Sequence, residues 1–199
     1  FDAHTDLRQS YNGEKFSHAS AIRRCMDYKN VSVISFGIRN ISASEVSFLK
    51  KNTKKIKIFW AKDKAKWNLN IFKKLIKNKT VYLTFDVDSL DSSIMPATGT
   101  PEPGGLFWDE TLKILKLAFK NSNIVGADVN ELAPIKGFNS YNFLVAKLVY
   151  KILSYKFLYK WFSLKILVNN LKGNNIVIAT TIFTARSPKE SVIQGIVVP

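Results

Sequence analysis

A chain of 199 residues with 46% hydrophobic and 23% charged content can bury one substantial core. Its formal charge of +15 is spread over lysines that travel with Asn and Ile, as in KNTKK (51–55) and KKLIKNK (73–79). Such runs read as solvated helix faces, so the charge argues for neither a nucleic-acid partner nor a membrane surface. The single cysteine, Cys25, excludes an internal disulfide framework and suits a reducing, cytoplasmic setting. No signal peptide is visible in a sequence that begins at Phe1.

In chain order, Phe1 to Asp6 reads as the end of a core strand, whose period of two puts Asp2, His4 and Asp6 on one face. Residues 7–17 are polar, with Asn12-Gly13 as a turn signal, and form a loop beside that strand end. Ser17 is a candidate N-cap for a helix over 18–28. A strand follows at 31–38, a helix at 42–51, a short strand at 56–60 and a helix at 68–77. The apolar run VYLTF (81–85) predicts a buried strand over 80–86 that delivers Asp86 and Asp88 at its C-terminal end. A Gly/Pro-rich loop at 96–105 leads to a helix at 109–120, a strand at 124–129 and an amphipathic helix at 142–156. Alternation of this kind predicts a three-layer α/β/α sandwich with a mainly parallel sheet. Ligands gather at the carboxyl ends of such strands, where the acidic residues fall.

This alternation occupies residues 1–156, and residues 157–199 follow as an extension of unknown role. Lys156, Lys160 and Lys165 interrupt the aromatic stretch around 157–162 too often for a transmembrane helix. Residues 176–183 and 193–198 read as strands. The stretch 173–199 has a faint similarity to pyruvoyl-dependent arginine decarboxylases, and a species-specific tail or a damaged reading frame accounts for it equally well.

Asp-x-Asp alone is turn or cap chemistry more often than a metal site. Asp-x-His-x-Asp is rarer, and two such elements in one chain favour a two-metal site. Asp2, His4, Asp6, Asp86 and Asp88 supply four carboxylates and one imidazole. That hard, oxygen-rich set suits Mn²⁺ or Mg²⁺, and zinc less well.

The segments FDAHTDLR (1–8), GEKFSHASAIRR (13–24), TFDVDSLD (84–91), PATGTPEPGG (96–105) and GADVNELAPI (126–135) occur in an order and spacing that resemble the ureohydrolase family of arginases and agmatinases, and the agmatinases most. The resemblance runs from residue 1 to about residue 156. It implies a hydrolase in which two Mn²⁺ ions activate a water to attack a guanidinium, a poor electrophile because its charge is delocalised. By motif, Asp2 and Asp86 resemble the bridging carboxylates, His4 and Asp88 ligands of one ion, and Asp6 a ligand of the other that also bonds the nucleophile. His18 resembles the family histidine that contacts substrate or relays a proton, against the plainer reading of a loop histidine bonded to backbone. Glu131 resembles the glutamate that receives the guanidinium, and Thr98 belongs to the pocket wall. The same resemblance assigns Asp128 and Asp91 to support, and homo-oligomers, trimers or hexamers, to the assembly. Arg23 and Arg24 read as helix-surface or subunit-contact residues.

Three departures accompany it. The family's upstream Gly-Gly-Asp-His motif, whose histidine completes one ion's ligands, is not in this sequence, where His4 and His18 are the two histidines. Ser92 stands where the family has proline, and Asn130 where it has valine or isoleucine. The leading expectation is conversion of agmatine to putrescine and urea, with guanidinobutyrase or arginase activity as alternatives. Residues 7–18 lack the Asn-rich loop of arginases. A catalytically inactive homologue serving as a binding or assembly subunit is the alternative outside enzymes. The chain as it stands is expected to hydrolyse agmatine poorly, and a form extended upstream of Phe1 to hydrolyse it well.

Overall fold

Two short parallel ladders carry the strand ends on which the site is built. In the computed structural model, which describes residues 1–169 and side chains through residue 159, β1 (Val33–Phe36) pairs with β2 (Ile56–Phe59) in the register Val33↔Ile56 to Phe36↔Phe59. Strand β3 (Thr80–Asp86) pairs with β4 (Asn123–Asn130) from Thr80↔Asn123 to Asp86↔Asn130, with a bulge between Val81 and Tyr82. The helices are α1 (Ala21–Cys25), α2 (Ala43–Lys51), α3 (Leu69–Ile76), α4 (Trp108–Asn121) and α5 (Asn139–Asn169). From β1 onward strand and helix alternate and both ladders are parallel, the α/β class that the sequence predicts.

The segment from Phe1 to His4 joins the ladders. Asp2 N–H donates to the Phe36 carbonyl (3.1 Å), and the Phe1 carbonyl accepts from Asp86 N–H (2.9 Å). It is not the regular strand expected for residues 1–6. The Ala3 carbonyl accepts from both Arg39 N–H (2.9 Å) and Asn40 N–H (3.0 Å), His4 makes an isolated parallel bridge to Asn40, and Asp6 turns into the left-handed region at φ +52°. Period-two alternation thus stops short of Asp6, which a turn rather than a strand brings to the site. Behind Phe1 the ladders part around a groove of about 430 Å³ lined by Val33 and Ile34 of β1 and by Val81 and Leu83 of β3.

Aromatic side chains fix the ladders to the helices. Phe36 stacks on Phe59 (4.4 Å between centroids) and meets Phe72 of α3 edge-on (4.8 Å), while Phe85 stacks on Phe1 (4.8 Å). Burial of each ring contributes about 1.5–3 kcal/mol. On α4 the buried residues Thr111, Ile114, Leu115, Ala118 and Phe119 recur at three- and four-residue spacing and face the core.

Several boundaries differ from expectation. The helix expected at 18–28 is a 3₁₀ turn (His18–Ser20) followed by the short α1, because the turn-forming stretch Asp27-Tyr28-Lys29-Asn30 ends it early. Strand β3 does end at Asp86, as expected; beyond it Val87–Ser89 forms a 3₁₀ turn, so Asp88 reaches the site from a turn. Helix α5 runs past residue 156 through the aromatic, basic stretch. No described helix is long and apolar enough to cross a membrane. The strands expected at 176–183 and 193–198 lie outside the described residues.

The 96–105 loop requires glycine at a position other than Gly99. A Cβ on Gly99 would meet nothing within 4 Å, whereas one on Gly105 would lie 2.6 Å from the Leu90 carbonyl carbon and the Asp91 nitrogen. The clash is with backbone, which cannot give way cheaply. Gly105→Ala is expected to destabilise the fold by about 1–3 kcal/mol, as overpacking does. Thermal melts of parent and variant check this, and an unchanged Tm would contradict the close approach.

Candidate metal centre

Four chain segments meet at the carboxyl ends of β1, β3 and β4. The ligand atoms of Asp2, His4 and Asp88 lie within 4.8 Å of one another, as do those of Asp2, Asp6 and Asp86. Asp2 therefore belongs to both groups, while Asp86 groups with Asp2 and Asp6. Asp88 is fully buried. One of its oxygens accepts from Ala3 N–H (3.0 Å) and the other lies 2.9 Å from His4 Nδ1. Asp2 accepts from His4 N–H at 2.7 Å.

Electrostatics in this cluster oppose full ionisation. Burial, then the charges of Asp2, Asp86 and Glu131, push the Asp6 carboxyl up to about 8. Burial and Asp2 push Asp86 up to about 7. Burial and the charges of Asp88, Asp86 and Asp2 push Glu131 up to about 8. Hydrogen bonds to Asp2 and Asp88 raise His4 to about 10, against the effect of its burial. Burial opposes ionisation of Asp88 too, but bonds from His4 and from Ala3 N–H hold its carboxyl below the ordinary range. Packed acids of this kind fit divalent cations, which would discharge the repulsion with a hard, oxygen-rich donor set. Asp2, His4 and Asp88 would hold one ion, and Asp2, Asp6 and Asp86 a second.

The sign of the pH dependence follows. Asp6, Asp86 and Glu131 keep protons in the fold that an unfolded chain releases near pH ~4. Between there and about pH 8 the folded state binds more protons, so stability falls as pH rises. His4 acts in the same direction: its contribution is fully present below its ordinary value of 6.5 and is lost as pH climbs through about 10. The metal-free protein is expected to melt at lower temperature at pH ~9 than at pH ~5. Divalent-ion affinity should rise over that interval, because the ions displace protons. Melts with chelator and with Mn²⁺ across pH check both, and a metal-free Tm that increases with pH would contradict the assignment.

The remaining residues singled out in the sequence are placed as follows. Glu131 follows β4 at φ +68°; the residue as a whole is exposed, but its carboxyl lies against the buried acids, within the field of Asp88 and Asp86. Ala133 N–H donates to the Ala97 carbonyl (2.8 Å), which sets Thr98 beside the Glu131 segment. Thr98 is buried and its Oγ1 has no hydrogen-bond partner. His18 is exposed on the 7–20 loop, edge-on to the Tyr11 ring at 5.5 Å, and is not among the grouped ligands. Asp128 accepts from Thr84 Oγ1 (2.7 Å) and from Asn130 Nδ2 (2.5 Å), a supporting role in which the unusual Asn130 has a partner. Asp91 accepts from Ser93, Gly104 and Gly105 N–H groups, which anchors the loop with Ser92 in the proline position. Arg23 lies over the Phe48 ring (3.5 Å) and Arg24 beside Asp27 (3.3 Å).

Three residues of the site's frame escape sequence reading. Buried Glu45 of α2 accepts from Thr5 Oγ1 (2.6 Å) and Leu7 N–H (2.8 Å), on either side of Asp6, and from Ser42. The Ser42-x-x-Glu45 spacing of a capping box is the signal that could have found it. Glu102 bonds Asn40 Nδ2 (2.6 Å) and stands 3.9 Å from His4 Nε2. Arg39 carries no motif signal at all.

Such a fold and acid cluster are those of a ureohydrolase. The Arginase family matches residues 1–154, and the chain belongs to it. The N(1)-aminopropylagmatine ureohydrolase of Synechocystis is 37% identical over 157 residues, 77% of this chain and 50% of that protein. The agmatinase of Pyrococcus horikoshii is 36% identical over 155 residues, 77% of this chain and 53% of that protein. Among solved structures, the agmatine ureohydrolase of Thermoplasma volcanium superposes with a TM-score of 0.69 at 30% identity, over 80% of this chain and 54% of that one. The chain thus spans about half the length of the curated relatives it matches.

Proposed function

We propose that this centre holds two Mn²⁺ ions and hydrolyses a linear guanidinium compound, agmatine to putrescine and urea, as in polyamine biosynthesis. The observation that carries the reading is Asp2 shared between two ligand groups, with the Glu131 carboxylate alongside. Two divalent ions held by these residues would lower the pKa of a bound water and supply a nucleophile near neutral pH. Asp6, in the role that the resemblance gives it, would accept a hydrogen bond from the attacking water. Glu131 receives the planar guanidinium on its two oxygens, a charge-assisted pairing that orients the carbon for attack. Thr98 belongs to the pocket wall beside it. His18, on the exposed loop, contacts the substrate or relays a proton to the departing amine. In this reading the protein works in the cytoplasm as a homo-oligomer, a trimer or hexamer, with no nucleic-acid or membrane partner.

N(1)-Aminopropylagmatine is the second reading for the substrate, favoured by the Synechocystis relative. Urea release with added Mn²⁺ separates the two, assayed with both guanidines on the chain as it stands and on a form extended upstream of Phe1. Faster release from agmatine supports the first reading and faster release from the longer guanidine the second. No urea from either compound with either form would overturn both.

A further inference from the structure

We propose that Arg39 is a positioning residue of the metal centre, coupling the ligand-bearing turn at Asp88 and the Ala3–His4 segment to the 101–105 loop. The proposal rests on the two-metal reading above. Its side chain is spent entirely on backbone. Nε donates to the Pro103 carbonyl (2.9 Å) and Nη1 to that of Gly37 (2.9 Å). Nη2 reaches those of Asp88 (2.7 Å), Leu90 (3.2 Å) and Glu102 (2.6 Å). Among the described residues no other side chain binds the ligand turn and the loop together, and the Arg39 N–H holds the Ala3 carbonyl between Asp2 and His4.

The chemistry explains why an arginine stands there. A guanidinium has five N–H donors in a rigid plane and can satisfy carbonyls that diverge from one point. Lysine has three donors on a single nitrogen and cannot span the same set. The loop is gripped from both sides: Arg39 takes its carbonyls at Glu102 and Pro103, and Asp91 takes its N–H groups at Gly104 and Gly105. The Glu102 side chain that leaves this fixed backbone is held by Asn40 Nδ2 (2.6 Å) and stands 3.9 Å from His4 Nε2, while His4 Nδ1 faces Asp88 and Asp2. At that distance the Glu102 carboxylate acts on the ring through its charge, not through a hydrogen bond, and a nearby negative charge raises an imidazole's basicity. Arg39 thus acts on both Asp88 and His4 without touching a ligand atom.

The test uses the full chain, with Mn²⁺ itself as probe. Mn²⁺ affinity is measured by electron paramagnetic resonance and backbone protection by amide exchange, for the parent, Arg39→Lys and Leu148→Ala. Leu148 is a fully buried residue of α5 outside the site, so its truncation controls for lost stability. Arg39→Lys is expected to weaken Mn²⁺ binding by about 10- to 100-fold, the range of outer-shell changes. It should also speed exchange at Ala3, Gly104 and Gly105 together, whereas Leu148→Ala lowers Tm and leaves Mn²⁺ affinity near the parent's. Parental affinity in Arg39→Lys, or faster exchange at Gly104 and Gly105 with Ala3 unchanged, would reduce Arg39 to a loop staple and overturn the proposal. If the parent takes up no Mn²⁺, the two-metal reading fails instead, and the coupling is then judged by Ala3 exchange alone. Should Arg39→Lys not fold, the parent decides: Mn²⁺ must slow exchange at Gly104 and Gly105 as well as at Ala3, because coupling between sites is reciprocal.

Discussion

Asp2→Asn is expected to remove Mn²⁺ binding at both ions at once, a loss on the order of 100-fold or more in affinity that exceeds the effect of outer-shell changes. Asp2 is the residue common to the two ligand groups, so no other single substitution removes a donor from each. Asparagine keeps the shape and the carbonyl that His4 N–H needs at 2.7 Å, so the local turn survives. It removes a charge that raises the carboxyls of Asp6, Asp86 and Glu131. It also removes the partner that most raises His4, so the two effects oppose each other and the metal-free variant should melt near the parent's temperature at neutral pH. A ligand present at 100 times its dissociation constant stabilises a fold by about 2.7 kcal/mol, and that increment should vanish in the variant. Melts with chelator and with Mn²⁺ read both effects. Equal stabilisation of parent and variant by Mn²⁺ would show that Asp2 does not bridge.

Glu131→Gln separates substrate binding from metal binding. Glutamine keeps one acceptor oxygen but loses the charge and the second acceptor, so the guanidinium keeps a weaker, single contact. A charge-assisted contact contributes about 1.5–3 kcal/mol, which corresponds to roughly a 10- to 150-fold loss in kcat/KM for agmatine. Mn²⁺ affinity should change little, because Glu131 is in neither ligand group. Urea release, in whichever form of the chain shows it, gives the first quantity and electron paramagnetic resonance the second. An unchanged kcat/KM would remove Glu131 from the guanidinium site, and a large loss of Mn²⁺ affinity would make it a ligand.

The residues of the cluster were legible because their chemistry is concentrated: acids two apart at the ends of apolar runs are rare enough to stand out in a sequence. Their local conformations were less so. Period-two reasoning puts 1–6 on a continuous strand and carries the alternation past the 80–86 strand to Asp88, yet Asp6 leaves the extended region and Asp88 sits in a 3₁₀ turn. Long-range partners override local pattern at both places. The Ala3 carbonyl is taken by Arg39 and Asn40, and the Asp88 carbonyl by Arg39 again, contacts between residues far apart in the chain that no spacing rule encodes. Glu45 was hidden for a related reason. Its capping role is local and readable, but its bonds to Thr5 and Leu7 belong to the tertiary fold. Of the glycines in the 96–105 loop, Gly105 lets two stretches of backbone meet while Gly99 stands in open space, a distinction that composition cannot make.

The backbone at Asp6 (φ +52°) and Glu131 (φ +68°) carries a further consequence. Both acids occupy the left-handed region, where a residue with a Cβ costs about 1 kcal/mol or more relative to glycine. Both also add negative charge to a crowded cluster. Conformation and electrostatics thus agree that the metal-free fold would be more robust with glycine at these two positions. Robustness and chemistry pull in opposite directions there, as they do wherever function needs a destabilised arrangement. A directed-evolution campaign scored on heat resistance alone, with no metal in the medium, would drift toward glycine at both positions and discard the two acids assigned to the water and the guanidinium.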